Sequence, residues 1–302
     1  METEQYERNL IYLNEKRLEV TNSREYFWGK KLLKYGNYFK QLRFRSAIKE
    51  FSHDVYAYFN KKVDIHKIID FSQGAITSFK KKVVVYTSIY GSYDLILEPL
   101  TVDSNCEYFI FTDQKVASNS VWKLADDSKM PKECDTPAKK NRYVKMFPHK
   151  FFDCDYSIYL DGNLQIVGHP SLLVQREIET CLTGIEMHLA PRENCIYEEA
   201  KTVCHVGKIN KSEMNQVLKM YKENGMPRHF GMCECNVIVR NHNNDNYQKI
   251  MENWWELYLQ GVKRDQLYFT YVIYKQGYQF SDIINFGASV NQNPLFLRKE
   301  HK

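Results

Sequence analysis

The sequence predicts an α/β fold, a mixed and mainly parallel sheet flanked by helices, with a helical extension in front of it. Two observations carry this. From Val83 onward, short β-branched or aromatic runs alternate with amphipathic stretches, the pattern of a sheet whose strands are joined by crossover helices. Before that point, apolar and aromatic residues recur at helical spacing among many charges. A length of 302 residues with 43% hydrophobic content is enough for a full core.

Residues 1–80 read as several amphipathic helices, with Phe27, Trp28, Leu32, Leu33 and Tyr35 and then Leu42, Phe44, Ile48 and Phe51 marking their apolar faces. Lys80–Lys82 close this region, and a domain boundary is placed there, giving 1–80 as a basic helical extension and 81–302 as the α/β domain. Strands are expected at 83–87, 106–112, 156–160, 164–167, 185–189 and 236–240. Helices are expected at 139–152, 171–180, 212–224, 245–260 and 265–274. In sheets of this kind ligands sit beyond the carboxyl ends of the strands, so the residues that follow each strand are the first candidates for function.

Charge narrows the partners. The net charge is +5, and residues 1–80 supply all of the excess, with 15 Lys and Arg against 10 Asp and Glu; the remaining 27 of each sign cancel. A basic helical extension on a neutral body favours an anionic surface, such as the inner face of a membrane, over sequence-specific reading of nucleic acid. A solvated helical face accounts for the same charges more plainly. The first residues, METEQYERN, lack the order of a signal peptide, and no apolar run is long enough to cross a bilayer, so a cytoplasmic protein is expected. In that compartment the eight cysteines are expected as reduced thiols.

The richest segment is DCDYSIYLDGNLQIV, in which a strand ends in Asp161, Gly162 and Asn163. A carboxylate held at a strand end, with an oxygen-bearing residue two positions on, can hold Mg²⁺ or Mn²⁺ while the ion takes phosphate oxygens on its open side. The same three residues are also strong turn formers. Upstream, Arg142 and Lys145 share a helix face at i and i+3 and can supply charge to a diphosphate. Thr87, Ser88, Tyr90 and Asp94 lie at the end of the first strand and in the loop after it, and Asp113 follows the second; hydroxyl, carboxylate and aromatic groups there suit a nucleoside. No phosphate-cradling Gly-rich loop is present, which disfavours Walker-type and dinucleotide-binding enzymes.

YTSIYGSYDLILEP, NRYVK, YLDGNLQI, PRENCIYEEA, ECNVIVRNH and RDQLYFTYV occur in this order over about residues 81–285. Together they resemble the glycosyltransferase-like domain family of plant Golgi proteins and bacterial polysaccharide gene clusters, long known only as a domain of unknown function. The resemblance implies a GT-A, Rossmann-like fold, a nucleotide-sugar donor and a divalent cation at an Asp-x-Asp type motif. Here that motif is Asp161-Gly162-Asn163, so the second carboxylate is missing and Asn163 offers a neutral carbonyl instead.

The resemblance also gives Asp265 and Gln266 a place beside the donor sugar, as a similar pair has in retaining GT-A enzymes of the glycogenin-like kind. An N-cap explains Asp265 equally simply. Arg192 falls with the donor contacts, and Glu198 and Glu199 with the acceptor, where an inverting transfer needs a base. The base role stays open among Glu198, Glu199 and Asp265, as does inversion against retention. The expected activity is transfer of a sugar from a nucleoside diphosphate, UDP first, to a glycan or lipid-linked acceptor in surface polysaccharide synthesis, with Mn²⁺ or Mg²⁺ as the implied cofactor. Two alternatives stand beside it: a non-catalytic nucleotide- or glycan-binding protein on the same scaffold, and a sugar nucleotidylyltransferase, which the TSIYGSYD loop disfavours.

Overall fold

The computed structural model describes residues 2–59, 69, 81–190 and 194–301. Its centre is a seven-stranded sheet of β1 (Val83–Ile89), β2 (Cys106–Thr112), β3 (Lys123–Leu124), β4 (Tyr156–Leu160), β6 (Ile185–Leu189), β7 (Cys233–Asn241) and β8 (Ile284–Ala288), in the order β3-β2-β1-β4-β7-β6-β8. β1 runs parallel to β2 and β4, β2 to β3 and β6 to β8, whereas β7 is antiparallel to both β4 and β6. This is the mixed, mostly parallel sheet that the sequence predicts. A separate ribbon pairs β5 (Leu164–Ile166) with β9 (Phe296–Arg298).

Both faces of the sheet are covered, as parallel strands require. Along β1 the side chains alternate: Val84 and Tyr86 enter one core with Phe111, Tyr159 and Trp254, and Val83 and Val85 enter the other with Ile158, Val237 and Phe296. The first core is closed by α4 (Pro137–Met146), α5 (Ile196–His205), α6 (Lys211–Glu223), α7 (Asp245–Gln260) and α8 (Gln266–Lys275). Each is a short amphipathic helix, and the capping box of Asn210 with Glu213 fixes the start of α6.

Two helices differ from expectation. α4 stops at Met146 because Pro148 removes a donor and pushes Phe147 out of the helical region; a 3-10 turn, Pro148–Lys150, follows. The stretch 171–180 forms two 3-10 turns, Pro170–Leu173 and Arg176–Glu179, with Val174 extended between them. Its backbone donors turn to the body of the protein instead of to a helical ladder, Ser171 N to Asp103 and Gln175 N to Glu186.

Before residue 60 the chain forms α1 (Glu2–Thr21), α2 (Arg24–Lys40) and α3 (Phe44–Phe59). α2 and α3 are stapled by Lys31 to Asp54 at 2.7 Å and by the Tyr35 hydroxyl to the same carboxylate at 2.7 Å. α1 lies on the α/β domain: Asn14 donates to the carbonyls of Pro294 and Phe296, Asn22 to that of Asn291, and Glu7 meets His169 at 3.2 Å. No helix among the described residues is long and apolar enough to cross a membrane. All eight cysteines are unpaired thiols, as expected.

Candidate active site

The parallel register of β1 with β2 and β4 brings three strand ends to one edge of the sheet, Ile89 beside Thr112 and Thr87 beside Leu160. The loop after β1, Asp113 and Asp161 therefore converge there. Asp113 accepts from the backbone N–H of Gly91 at 2.8 Å, which fixes the loop after β1. Asp94 meets the ring of His301, near the end of the described chain, at 2.9 Å. The Asp161–Asn163 turn is closed by Leu164 N donating to the Asp161 carbonyl, and it leads β4 out of the main sheet into β5. Turn and site are thus the same three residues. Gly162 is there for space, because a Cβ on it would fall 2.7 Å from Ile89 Cγ1.

Behind this edge lies a chain of charges. Lys145, on α4, is buried and places its Nζ 2.9 Å from Asp265 Oδ2 and 3.6 Å from Asp161 Oδ1. Arg142, one turn earlier, reaches the same Asp265 oxygen through Nε at 3.1 Å and leaves 27% of its side chain in solvent. Asp265 itself is buried, and its carbonyl accepts from the Trp254 indole at 2.8 Å. Burial pushes its carboxyl up, but Arg142, Lys145 and Arg264 outweigh that and hold it well below the usual carboxylate range. It makes no capping bond to α8: its side chain is committed to the two cations. The Tyr159 hydroxyl donates to Asp161 Oδ1 at 2.9 Å, and the Tyr159 ring lies under the Lys145 ammonium. α4 and β4 thus place an ammonium between two carboxylates, with a guanidinium beside them that keeps 27% of its side chain in solvent.

As they stand, these groups do not make a divalent-cation site. Asp161 Oδ1 is already taken by Tyr159 and faces an ammonium. The Asn163 side-chain NH2 donates to the Lys299 carbonyl at 3.1 Å and the Asn163 main-chain carbonyl accepts from Lys299 N at 2.8 Å, so the residue is held to the tail rather than turned to an ion beside Asp161. Among the described residues no group of three His, Cys, Asp or Glu side chains is placed to hold an ion. One carboxylate and one amide leave most of an octahedral shell to substrate and water.

A family model described as TOD1/MUCI70, glycosyltransferase-like domain, matches residues 21–301. The chain belongs to that glycosyltransferase-like family. The match begins at the last residue of α1 and takes in α2 and α3 as well as the sheet, a wider span than the 81–285 of the sequence resemblance. Solved structures similar to the chain include apo GlyE of Streptococcus pneumoniae, a glycosyltransferase, at 11% identity and a TM-score of 0.37, over 66% of this chain and 45% of that one. The galactosyltransferase LgtC, solved with donor and acceptor sugar analogues, gives 12% and 0.37 over 67% and 72%. Mouse xyloside xylosyltransferase 1, apo form, gives 11% and 0.39 over 67% and 84%. This chain therefore spans less than half of GlyE, and at these values the likenesses do not extend to substrate or mechanism. No curated protein matches the chain.

The remaining expected residues are distributed as follows. Thr87 and Ser88 are buried and neither hydroxyl has a hydrogen-bond partner, while the Ser88 carbonyl accepts from Asn141 at 2.7 Å. Tyr90 is buried too, its hydroxyl given to Asp127 and its ring covered by Lys140, so it is not an open face for a base. Glu198 is tied to Lys201 at 2.9 Å and to Arg228. Glu199, next to it on α5, is more enclosed: burial raises its pKa, against the pull of Arg264 and Lys208. Gln266 opens α8 beside Arg264, which approaches it at 3.5 Å. Arg192 lies outside the described residues. Sequence reasoning gave no role to Tyr159 or to the tail at Lys299 and His301. The alternation of β4 placed Tyr159 on the same side as Tyr86, but nothing in the sequence joins residue 301 to residue 94.

Proposed function

We propose that this chain transfers a sugar from a nucleoside-diphosphate donor, UDP-linked in the first instance, to a glycan or lipid-linked acceptor in surface polysaccharide synthesis, at the cytoplasmic face of a membrane. The observation that carries the proposal is the pair of cations, Arg142 and Lys145, set between Asp265 and Asp161 at the carboxyl edge of β1 and β4. In the transfer, an acceptor oxygen forms a bond to the anomeric carbon as that carbon's bond to the diphosphate oxygen breaks. The diphosphate leaves with the electron pair and gains negative charge, which fixed cations in a shielded site stabilise strongly. Lys145 needs no reorganisation to do this, because Asp265 and Tyr159 already orient it. Arg142 brings a planar fork that suits a diphosphate.

The acceptor proton needs a base whose pKa lies near the working pH. Asp265 is held too low for that role, and Glu198 is engaged by two cations. Glu199, with its pKa raised, is the carboxylate of the three best matched to it. Asp265 then serves the sugar hydroxyls and the posture of Lys145.

The test is a thermal-shift panel of nucleotides and nucleotide sugars, with and without Mn²⁺ and EDTA. A ligand at about a hundredfold over its dissociation constant stabilises by roughly 2.7 kcal/mol. We expect a UDP-selective shift that survives EDTA and that weakens by about tenfold in affinity, about 1.4 kcal/mol, in Arg142→Met. A shift that appears only with Mn²⁺ refutes the cation-pair account of the diphosphate. No shift with any nucleotide or nucleotide sugar favours a non-catalytic, glycan-binding protein on the same scaffold.

A further inference from the structure

α1 and α2 do more than precede the domain. Between them and the C-terminal segment runs an open groove of about 1070 Å³, the size of a substantial ligand site. At its inner end it is lined by Asn163 and His301, the two residues that join the tail to the Asp161–Asn163 turn and to Asp94. The groove therefore opens onto the candidate active site.

Its walls have two chemistries. Arg17, Lys30, Arg298 and Lys299 line it, and so do Lys31 and Lys34, which already answer Asp54 and Glu50 of α3. Glu300 is the one acid among its described lining residues. Leaving out the two paired lysines, four cations face a single carboxylate. Leu18, Tyr26, Phe27, Leu33, Val290 and Phe296 supply the apolar part of the wall. That apolar surface does not end at the groove. Leu33 is 75% exposed, and Leu13, Val20 and Leu32 on the same two helices are exposed as well.

We propose that this groove is the acceptor site and that its occupant is a phosphate-bearing lipid, with the phosphate among Lys30, Arg298 and Lys299 and the hydrocarbon along the leucines of α1 and α2. This rests on the glycosyltransferase reading above for the word acceptor, but not for the binding. A free anionic glycan accounts for the cations and leaves the exposed leucines unexplained. An amphiphile uses both, since hydrocarbon gains by covering apolar surface and basic side chains attract an anionic headgroup. The charge excess of residues 1–80 then has an address: Arg17 and Lys30 face the groove.

The experiment titrates the full chain with dodecyl phosphate below its micelle concentration, followed by calorimetry. Parallel titrations use dodecyl maltoside, inorganic phosphate and a short polyuronate, and UDP binding is measured on every protein. We expect dodecyl phosphate to bind, at least tenfold more weakly in the double variant Lys30→Glu with Arg298→Glu, and more weakly in Leu33→Ser, a change at an exposed position that keeps the fold. Inorganic phosphate and dodecyl maltoside at the same concentration should not compete. Equal affinity of wild type and the charge-reversed protein overturns the proposal, as does equal binding of dodecyl maltoside. Charge-dependent binding of the polyuronate without binding of dodecyl phosphate also overturns it, in favour of a glycan groove. Binding of dodecyl phosphate by a protein that ignores UDP and UDP-sugars keeps the groove and refutes the donor reading, so the two failures are told apart.

Discussion

Replacing Asp265 by Asn removes one charge and almost no volume, and it tests whether the cation pair is held as described. In the wild type, Lys145 Nζ lies 2.9 Å from Asp265 and 3.6 Å from Asp161; the Lys145 and Asp265 side chains are each under 5% exposed, and that of Asp161 is 37% exposed. Once Asp265 is neutral, the buried ammonium keeps only the longer contact to the wetter carboxylate. Breaking a buried pair by removing one partner costs about 3–5 kcal/mol, because the other charge is left without compensation. Arg142 keeps 27% of its side chain in solvent and a hydrogen bond to the Asn141 side chain, so most of the loss falls on Lys145. For a chain of this size the midpoint falls by roughly 2–4 °C per kcal/mol, so Asp265→Asn should melt about 10 °C lower. Urea unfolding of Asp265→Asn, Lys145→Met and the double variant closes the cycle, with a coupling of about 2 kcal/mol or more. The same variant carries a pH signature. Asp265 has a folded pKa held below its unfolded value, so its contribution is present above about pH 4 and is lost as pH falls through the folded pKa. That acid limb should be missing in Asp265→Asn. A variant that melts within about 2 °C of the wild type, or single losses that simply add, would refute the argument.

Gly162→Ala drives a Cβ to 2.7 Å from Ile89 Cγ1 and 3.0 Å from Cδ1, so it should cost about 1–3 kcal/mol in unfolding and displace Asp161, and it should cost less in an Ile89→Ala background, which lacks both atoms; an unchanged unfolding curve would show that the turn has room to spare. His188 is fully buried, with Nε2 bonded to Asn293 at 2.9 Å and Nδ1 without a partner, and burial lowers its pKa to about 3. A histidine held neutral in the fold gives stability that is full above its unfolded pKa of about 6.5 and is lost as pH falls toward the folded value, so between pH 7.5 and 5 the wild type should lose about 2 kcal/mol more than His188→Asn, and parallel pH profiles would contradict this.

The central elements of the α/β domain were legible because their signals are local. β2, β4 and β6 and helix α7 fall at the expected residues, since each is a run whose period or composition already matches its burial. β8 and β9 were missed: INFGA and FLR are short, and what makes them strands is pairing with β6 and β5 about a hundred residues away. The helix expected at 171–180 has suitable residues, but its backbone donors find better partners in Asp103 and Glu186. At the candidate site, Arg142 and Lys145 were readable as one helix face, and Asp161 as a strand end. Two things were out of reach. One is that Asp265 forsakes the cap for two cations contributed by α4, more than a hundred residues upstream. The other is that Tyr90 is spent on Asp127 while the Thr87 and Ser88 hydroxyls are buried without a partner. Residue type told what each could do, and only packing told which partner came first.

The arrangement also explains why the weakened metal motif is consistent with the rest of the site. A divalent ion between two carboxylates neutralises them and offers positive charge to a diphosphate. Here the Lys145 ammonium stands between Asp161 and Asp265, with Arg142 on the second of them, and provides the same balance from the chain itself. With that charge in place, a second carboxylate at 163 has less to do, and Asn163 is used instead to bind the tail at Lys299 from both sides. The tail in turn brings His301 to Asp94 and forms one wall of the groove under α1 and α2. Asn163 therefore ties the candidate-site edge of the sheet to the N-terminal helices. Asn163→Asp tests that link: it removes the amide donor to the Lys299 carbonyl, so it should loosen the tail and weaken dodecyl phosphate binding in the groove, and a variant that binds the amphiphile as the wild type does would break the chain of reasoning between the two sites.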